Sequence, residues 1–108
     1  MPILQKLISA YKLWLEFLPQ LFKTHRYSIG AKIDSLFLEN IETIFLAGYA
    51  DKAEKIVYLR KASIKLDSLK FFLQVSWEIK SLDNKKYISL SEKLNEVGKM
   101  LGGWIKQL

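Results

Sequence analysis

The chain has 108 residues, enough for one domain. Half of them are hydrophobic, with three Trp, six Phe and five Tyr, so a packed core is within reach. Seventeen Lys and Arg against eleven Asp and Glu leave a net charge of +6, which favours anionic partners, nucleic acid before a membrane surface. The absence of cysteine excludes disulfides, thiolate metal sites and cysteine nucleophiles, and fits the cytoplasm.

The first predicted helix runs from Ile3 to about Phe22, on Leu4, Leu7, Ile8, Tyr11, Trp14, Leu15, Leu18 and Leu21. Lys6, Lys12 and Glu16 make it amphipathic, neither a membrane span nor a signal peptide. Pro19 removes the hydrogen bond to residue 15, so a bend with a short continuation is expected there. Lys23 to Ser28 forms the first connection. The second helix follows from about Ile29 to Ala47, with Ile33, Leu36, Phe37, Ile41, Ile44 and Phe45 inward. Thr24 or Ser28 is its candidate cap and Gly48 its stop.

Asp51 is placed to cap a third helix reaching about Leu82, with one apolar stripe at Ile56, Leu59, Ala62, Leu66, Leu69, Leu73 and Trp77. Its C-terminal half carries a second stripe, Phe72, Val75, Ile79 and Leu82. Two faces suit either burial against another subunit or a wide core face covered by the kinked first helix. Asp83 to Lys86 is the last turn. Ser89 and Glu92 have capping-box spacing, so the fourth helix is expected to start near Leu90, with Tyr87 and Ile88 as its staple. Its ladder is Tyr87, Leu90, Leu94, Val97, Leu101, Trp104 and Leu108. Gly98, Gly102 and Gly103 stand within that ladder at a cost of about 0.5–1 kcal/mol each against alanine, which points to close helix approach inside the subunit or between subunits. No segment keeps a strand period. Four helices joined by short connections predict an all-α fold, an up-down-up-down four-helix bundle in a single domain spanning residues 1–108.

Catalysis finds no support. His25 lies in a basic connection without a Ser or Cys partner in local register. The pairs Glu39/Glu42 and Glu92/Glu96 lack the Glu-x-x-His partners of a bundle di-metal site, and no glycine-rich loop follows a strand. No catalytic residue, metal, cofactor or small-molecule substrate is therefore expected.

The basic residues are more informative. In an antiparallel bundle the first and third connections share one end, bringing Lys23, His25 and Arg26 near Lys80, Lys85 and Lys86, with Glu78 and Asp83 offsetting part of the charge. A second group, Arg60, Lys61 and Lys65, lies on the first half of the third helix. Lys23, Arg26, Lys61, Lys65, Lys85 and Lys86 are the candidate phosphate contacts. Tyr27 could stack on an unpaired base, whereas Tyr87 fits the core ladder better. A solvated charged face is the competing reading. Phe72, Trp77, Gly98, Gly102 and Trp104 are assigned to packing and assembly.

Four segments carry a resemblance: Arg26 to Gly30, Phe45 to Gly48, Lys61 to Phe71, and Val97 to Ile105 with its Val-Gly-x-x-Leu-Gly-x-Trp pattern. Together they resemble the accessory variability determinant (Avd) family of diversity-generating retroelements, across nearly the whole chain. The four-helix proteins of ribosomal RNA intervening sequences are related, but their Asn-Ile-Ala-Glu-Gly segment is missing here. The resemblance implies a four-helix bundle that assembles as a barrel-like homopentamer without catalytic residues. It also implies partnership with a reverse transcriptase and with RNA or an RNA/DNA hybrid in mutagenic cDNA synthesis. The alternative is a structural oligomer of the intervening-sequence type that contacts only proteins.

Overall fold

The computed structural model describes residues 1–108. Its long helices are α1 (Pro2–Phe17), α3 (Ile29–Tyr49), α4 (Lys52–Glu78) and α5 (Asn84–Lys106), with a one-turn helix α2 (Lys23–Arg26) in the first connection. Around the bundle the order is α1, α3, α4, α5 and back to α1, so α1 and α4 are diagonal, as are α3 and α5. The α3–α4 pairing is the most extensive of these and α1–α3 the least. The bundle measures 43 × 22 × 19 Å, its length set by the 27 residues of α4 at about 1.5 Å each. The expected four-helix bundle is the fold observed.

One core runs its length, built from Ile3, Leu7, Ala10 and Trp14 of α1, Ile33, Leu36, Phe37, Ile44 and Ala47 of α3, Leu59, Ala62, Leu66, Leu69 and Leu73 of α4, and Leu90, Leu94, Val97 and Leu101 of α5. Trp14 and Phe37 stack with centroids 6.3 Å apart. Asp34, half-buried between α1 and α3, accepts from Tyr11 Oη at 2.9 Å and Trp14 Nε1 at 3.3 Å. Burial, the hydrogen bond to Asp34 and the nearby negative charge together push the Tyr11 phenol above its ordinary value.

The helix ends depart from the sequence reading. The first helix stops at Phe17 rather than Phe22. Pro19 sits in a 3₁₀ turn, Leu18–Gln20, which is the short continuation expected at the break, and Leu21 then turns extended and drops into the core. Gly48 does not stop α3, which reaches Tyr49, and the Ser28 side chain points back to the Thr24 carbonyl instead of capping α3. Asp51 caps α4 as expected, accepting from Glu54 N–H at 2.9 Å.

Helix α4 ends at Glu78, short of Leu82, in a Schellman motif. Ser81 N–H bonds the Ser76 carbonyl at 2.8 Å and Lys80 N–H the Trp77 carbonyl at 3.0 Å. Lys80 takes the left-handed position, φ 65°, that glycine usually fills. The turn drives Leu82 into the core. Asp83 then caps α5, accepting from Lys86 N–H at 2.9 Å, so α5 starts six residues before Leu90 and the Ser89–Glu92 box is unused inside the helix.

The ladder residues Leu15 and Phe45 face solvent, as does Trp77 at the end of the first α4 stripe. Of the second stripe, left open between core and subunit contact, Leu82 is buried, Phe72 and Val75 are half-buried and Ile79 is exposed. The glycines do not mark close backbone contact inside the subunit. A Cβ at Gly98 would meet only the Lys70 ammonium and Leu66 Cδ2, at 3.3 and 3.5 Å, and one at Gly102 or Gly103 would meet nothing within 4 Å.

Candidate nucleic-acid interface

The topology brings α2 and the α4–α5 turn together at one end. His25 Nδ1 bonds Ser81 Oγ, and Lys86 Nζ reaches the Gln20 side chain, tying the first connection to the third. Lys23, Arg26, Lys85 and Lys86 are thus gathered as the sequence suggested. Lys61 and Lys65 are not: they lie about 20–30 Å farther along α4, taking 1.5 Å of rise per residue.

The gathered cations are not equivalent. Arg26 donates from Nε to the Leu21 carbonyl at 3.0 Å and from its guanidinium to the Pro19 carbonyl, so it closes the chain reversal after α1. Lys86 lies over the Phe17 ring and 3.9 Å from Asp83. Lys65 pairs with Glu39 at 3.2 Å. Lys23 and Lys85 have no side-chain partner in the subunit, and neither has Lys80, which the left-handed turn pushes into solvent. These three present undivided charge to an approaching phosphate.

Two aromatic rings accompany them. Tyr27, directly after α2, is 76% exposed, and Phe22, directly before it, is 62% exposed with its ring edge-on to His25. Phe22 was missed because it was read as the last residue of the first helix; the signal was its place after the Pro19 break and beside Lys23. Tyr87 instead stacks on Trp77, centroids 5.4 Å and planes 17° apart, and Trp77 Nε1 bonds Asn84 Oδ1, so this pair braces the α4–α5 turn. Trp104 is half-buried at the opposite end, with Lys55 Nζ 5.8 Å from its ring centroid.

No group of three His, Cys, Asp or Glu side chains is close enough to hold a metal ion, and no helix is long and apolar enough to cross a membrane. A family model described as bAvd-like matches residues 1–108. The chain belongs to the bAvd-like family. No curated protein matches it significantly. Membership supports an accessory protein of the retroelement kind, in a family that is generally non-catalytic. Two surface features stand out in this bAvd-like chain: the basic end with Phe22 and Tyr27, and the apolar residues left outside the core.

Proposed function

We propose that the chain is a non-catalytic scaffold that forms a homo-oligomer, a pentamer by its family resemblance, and holds RNA or an RNA/DNA hybrid for a partner reverse transcriptase inside the cell. The observation that carries this reading is the unpartnered trio Lys23, Lys80 and Lys85 beside the exposed rings of Phe22 and Tyr27. Lysines on such a surface neutralise phosphates without reading sequence. Exposed aromatic rings add base stacking of about 1–3 kcal/mol per base, which favours single-stranded over duplex segments. Assembly into a ring would repeat this small basic end around one rim, so that weak contacts sum.

The exposed apolar residues suit a second reading equally well, a structural oligomer that contacts only protein. One reconstitution separates the two. Purified reverse transcriptase from the same retroelement is given its template RNA with and without this chain. The scaffold reading expects cDNA only with both proteins, none from this chain alone, and loss of stimulation when Lys23 and Lys85 become Glu. Equal cDNA without the chain, or full stimulation by the charge-reversed variant, supports the structural reading instead.

A further inference from the structure

Three helices carry an unburied apolar stripe with a seven-residue step: Ile8 and Leu15 on α1 with Met1 just before it, Leu38 and Phe45 on α3, and Val57, Ile64 and Phe71 on α4. The α4 residues are each more than half exposed; Met1, Leu15, Leu38 and Phe45 are 43–48% exposed. A heptad step is the seam of helices packing nearly parallel. Within the subunit the α1 and α3 stripes flank the loosest pairing of the bundle, and the α4 stripe faces out from the diagonally opposite corner. Two unlike faces on opposite sides suit a head-to-tail contact, not a two-fold one.

We infer that the α4 stripe of one copy docks into the α1–α3 groove of the next, keyed by Lys61 against Glu42 and by Asp67 against Lys12. This rests on the homo-oligomer in the proposed function and names its interface. In a closed ring whose axis parallels the helices, residues at equal heights meet, and contacts within the subunit set those heights. Glu39 pairs with Lys65 and Lys32 lies over Phe72, so Glu42 falls level with position 62 of α4, beside Lys61. Met1 packs on Gly48 and Tyr11 bonds Asp34, so Met1, Ile8 and Leu15 fall within a helical turn of Val57, Ile64 and Phe71.

By the same ladder Lys12 falls between the levels of positions 67 and 71, near Asp67. Each charge is built into its stripe: Lys12 between Ile8 and Leu15, Glu42 between Leu38 and Phe45, and Lys61 between Val57 and Ile64. The flanks match too. Lys61 is one turn from Lys65 on the α3 side of α4, and Asp67 lines the α4–α5 groove, so a neighbour of similar orientation turns Lys61 to α3 and Asp67 to α1. None of the four has an ion-pair partner in its own subunit. Lys61, a phosphate candidate in the sequence, becomes an assembly residue.

The test uses the full chain. Ile64→Glu blocks the α4 face and Leu38→Glu the groove; both positions are exposed, and circular dichroism checks that each variant folds. Light scattering is expected to find a wild-type assembly larger than two, each variant monomeric, and a one-to-one mixture forming heterodimers and nothing larger, because each pair has one intact contact. Self-association of Leu38→Glu, or a mixture that stays monomeric, overturns the inference while the oligomer reading stands; a monomeric wild type ends both. The charge key is read separately. Lys61→Glu and Glu42→Lys should each weaken association at least tenfold. The double variant should recover assembly and RNA affinity together; assembly that stays weak in the double variant refutes the Lys61–Glu42 key.

Discussion

Replacing Lys80 by glycine should stabilise the bundle while weakening its hold on RNA. Lys80 occupies the glycine position of the Schellman motif that ends α4, with φ at 65°. A side chain there costs roughly 1–2 kcal/mol, and the extra freedom of glycine in the unfolded chain gives back roughly 0.5–1 kcal/mol. The net gain is about 0.5–1 kcal/mol. For a chain near 100 residues that raises Tm by roughly 2–6 °C. Lys80→Ala is the control, since it removes the ammonium and keeps the strained backbone. Thermal unfolding by circular dichroism, at matched protein concentration because assembly adds stability, should rank Lys80→Gly above both Lys80→Ala and wild type. A glycine variant no more stable than the alanine variant would refute the strain argument.

Other expectations concern the helix ends, the α1–α3 seam and the core. Asp83→Ala removes the cap of α5 and should cost about 1 kcal/mol in urea unfolding, whereas Ser89→Ala, inside the helix, should change stability by less than about half that. Because the folded Tyr11 phenol sits above its unfolded value, its contribution is complete below about pH 10, the ordinary tyrosine value, and fades as pH rises through the folded value. Tyr11→Phe should flatten that part of the stability–pH curve relative to wild type; identical curves would exclude the buried Tyr11 phenol as its source. Leu82→Ala, at the buried base of the basic turn, should cost about 2–5 kcal/mol, read as a lower urea midpoint.

The core was largely legible because it repeats: Leu90, Leu94, Val97 and Leu101 on α5, and Leu59, Ala62, Leu66, Leu69 and Leu73 on α4, need only helical spacing to be read. Asp51 was legible as a cap because its bond partner is three residues away. Where two local signals competed, spacing could not choose. Ser89 was read as the cap and Asp83 as part of the turn, whereas burial of Leu82 by the preceding turn sets the cap at Asp83. Phe45 and Leu15 fit the helical ladders, yet they face out because their neighbours Ile44 and Trp14 already fill the core. The site was half legible. Topology alone predicts that the first and third connections meet, but not that Arg26 serves the Pro19 carbonyl or Lys65 serves Glu39, since those partners belong to the folded geometry.

The proposed hold of the α2 end on a polyanion rests on lysines the fold leaves free. It is read from the affinity of wild type and of the Lys23→Ala, Lys80→Ala, Lys85→Ala triple variant for one labelled single-stranded RNA across a salt series. Each neutralised phosphate contributes a slope of about −0.7 in log K against log salt, so the wild type should fall more steeply than the variant by about 2 per engaged subunit. An affinity indifferent to salt, or a triple variant that binds as tightly and with the same slope, would contradict the account.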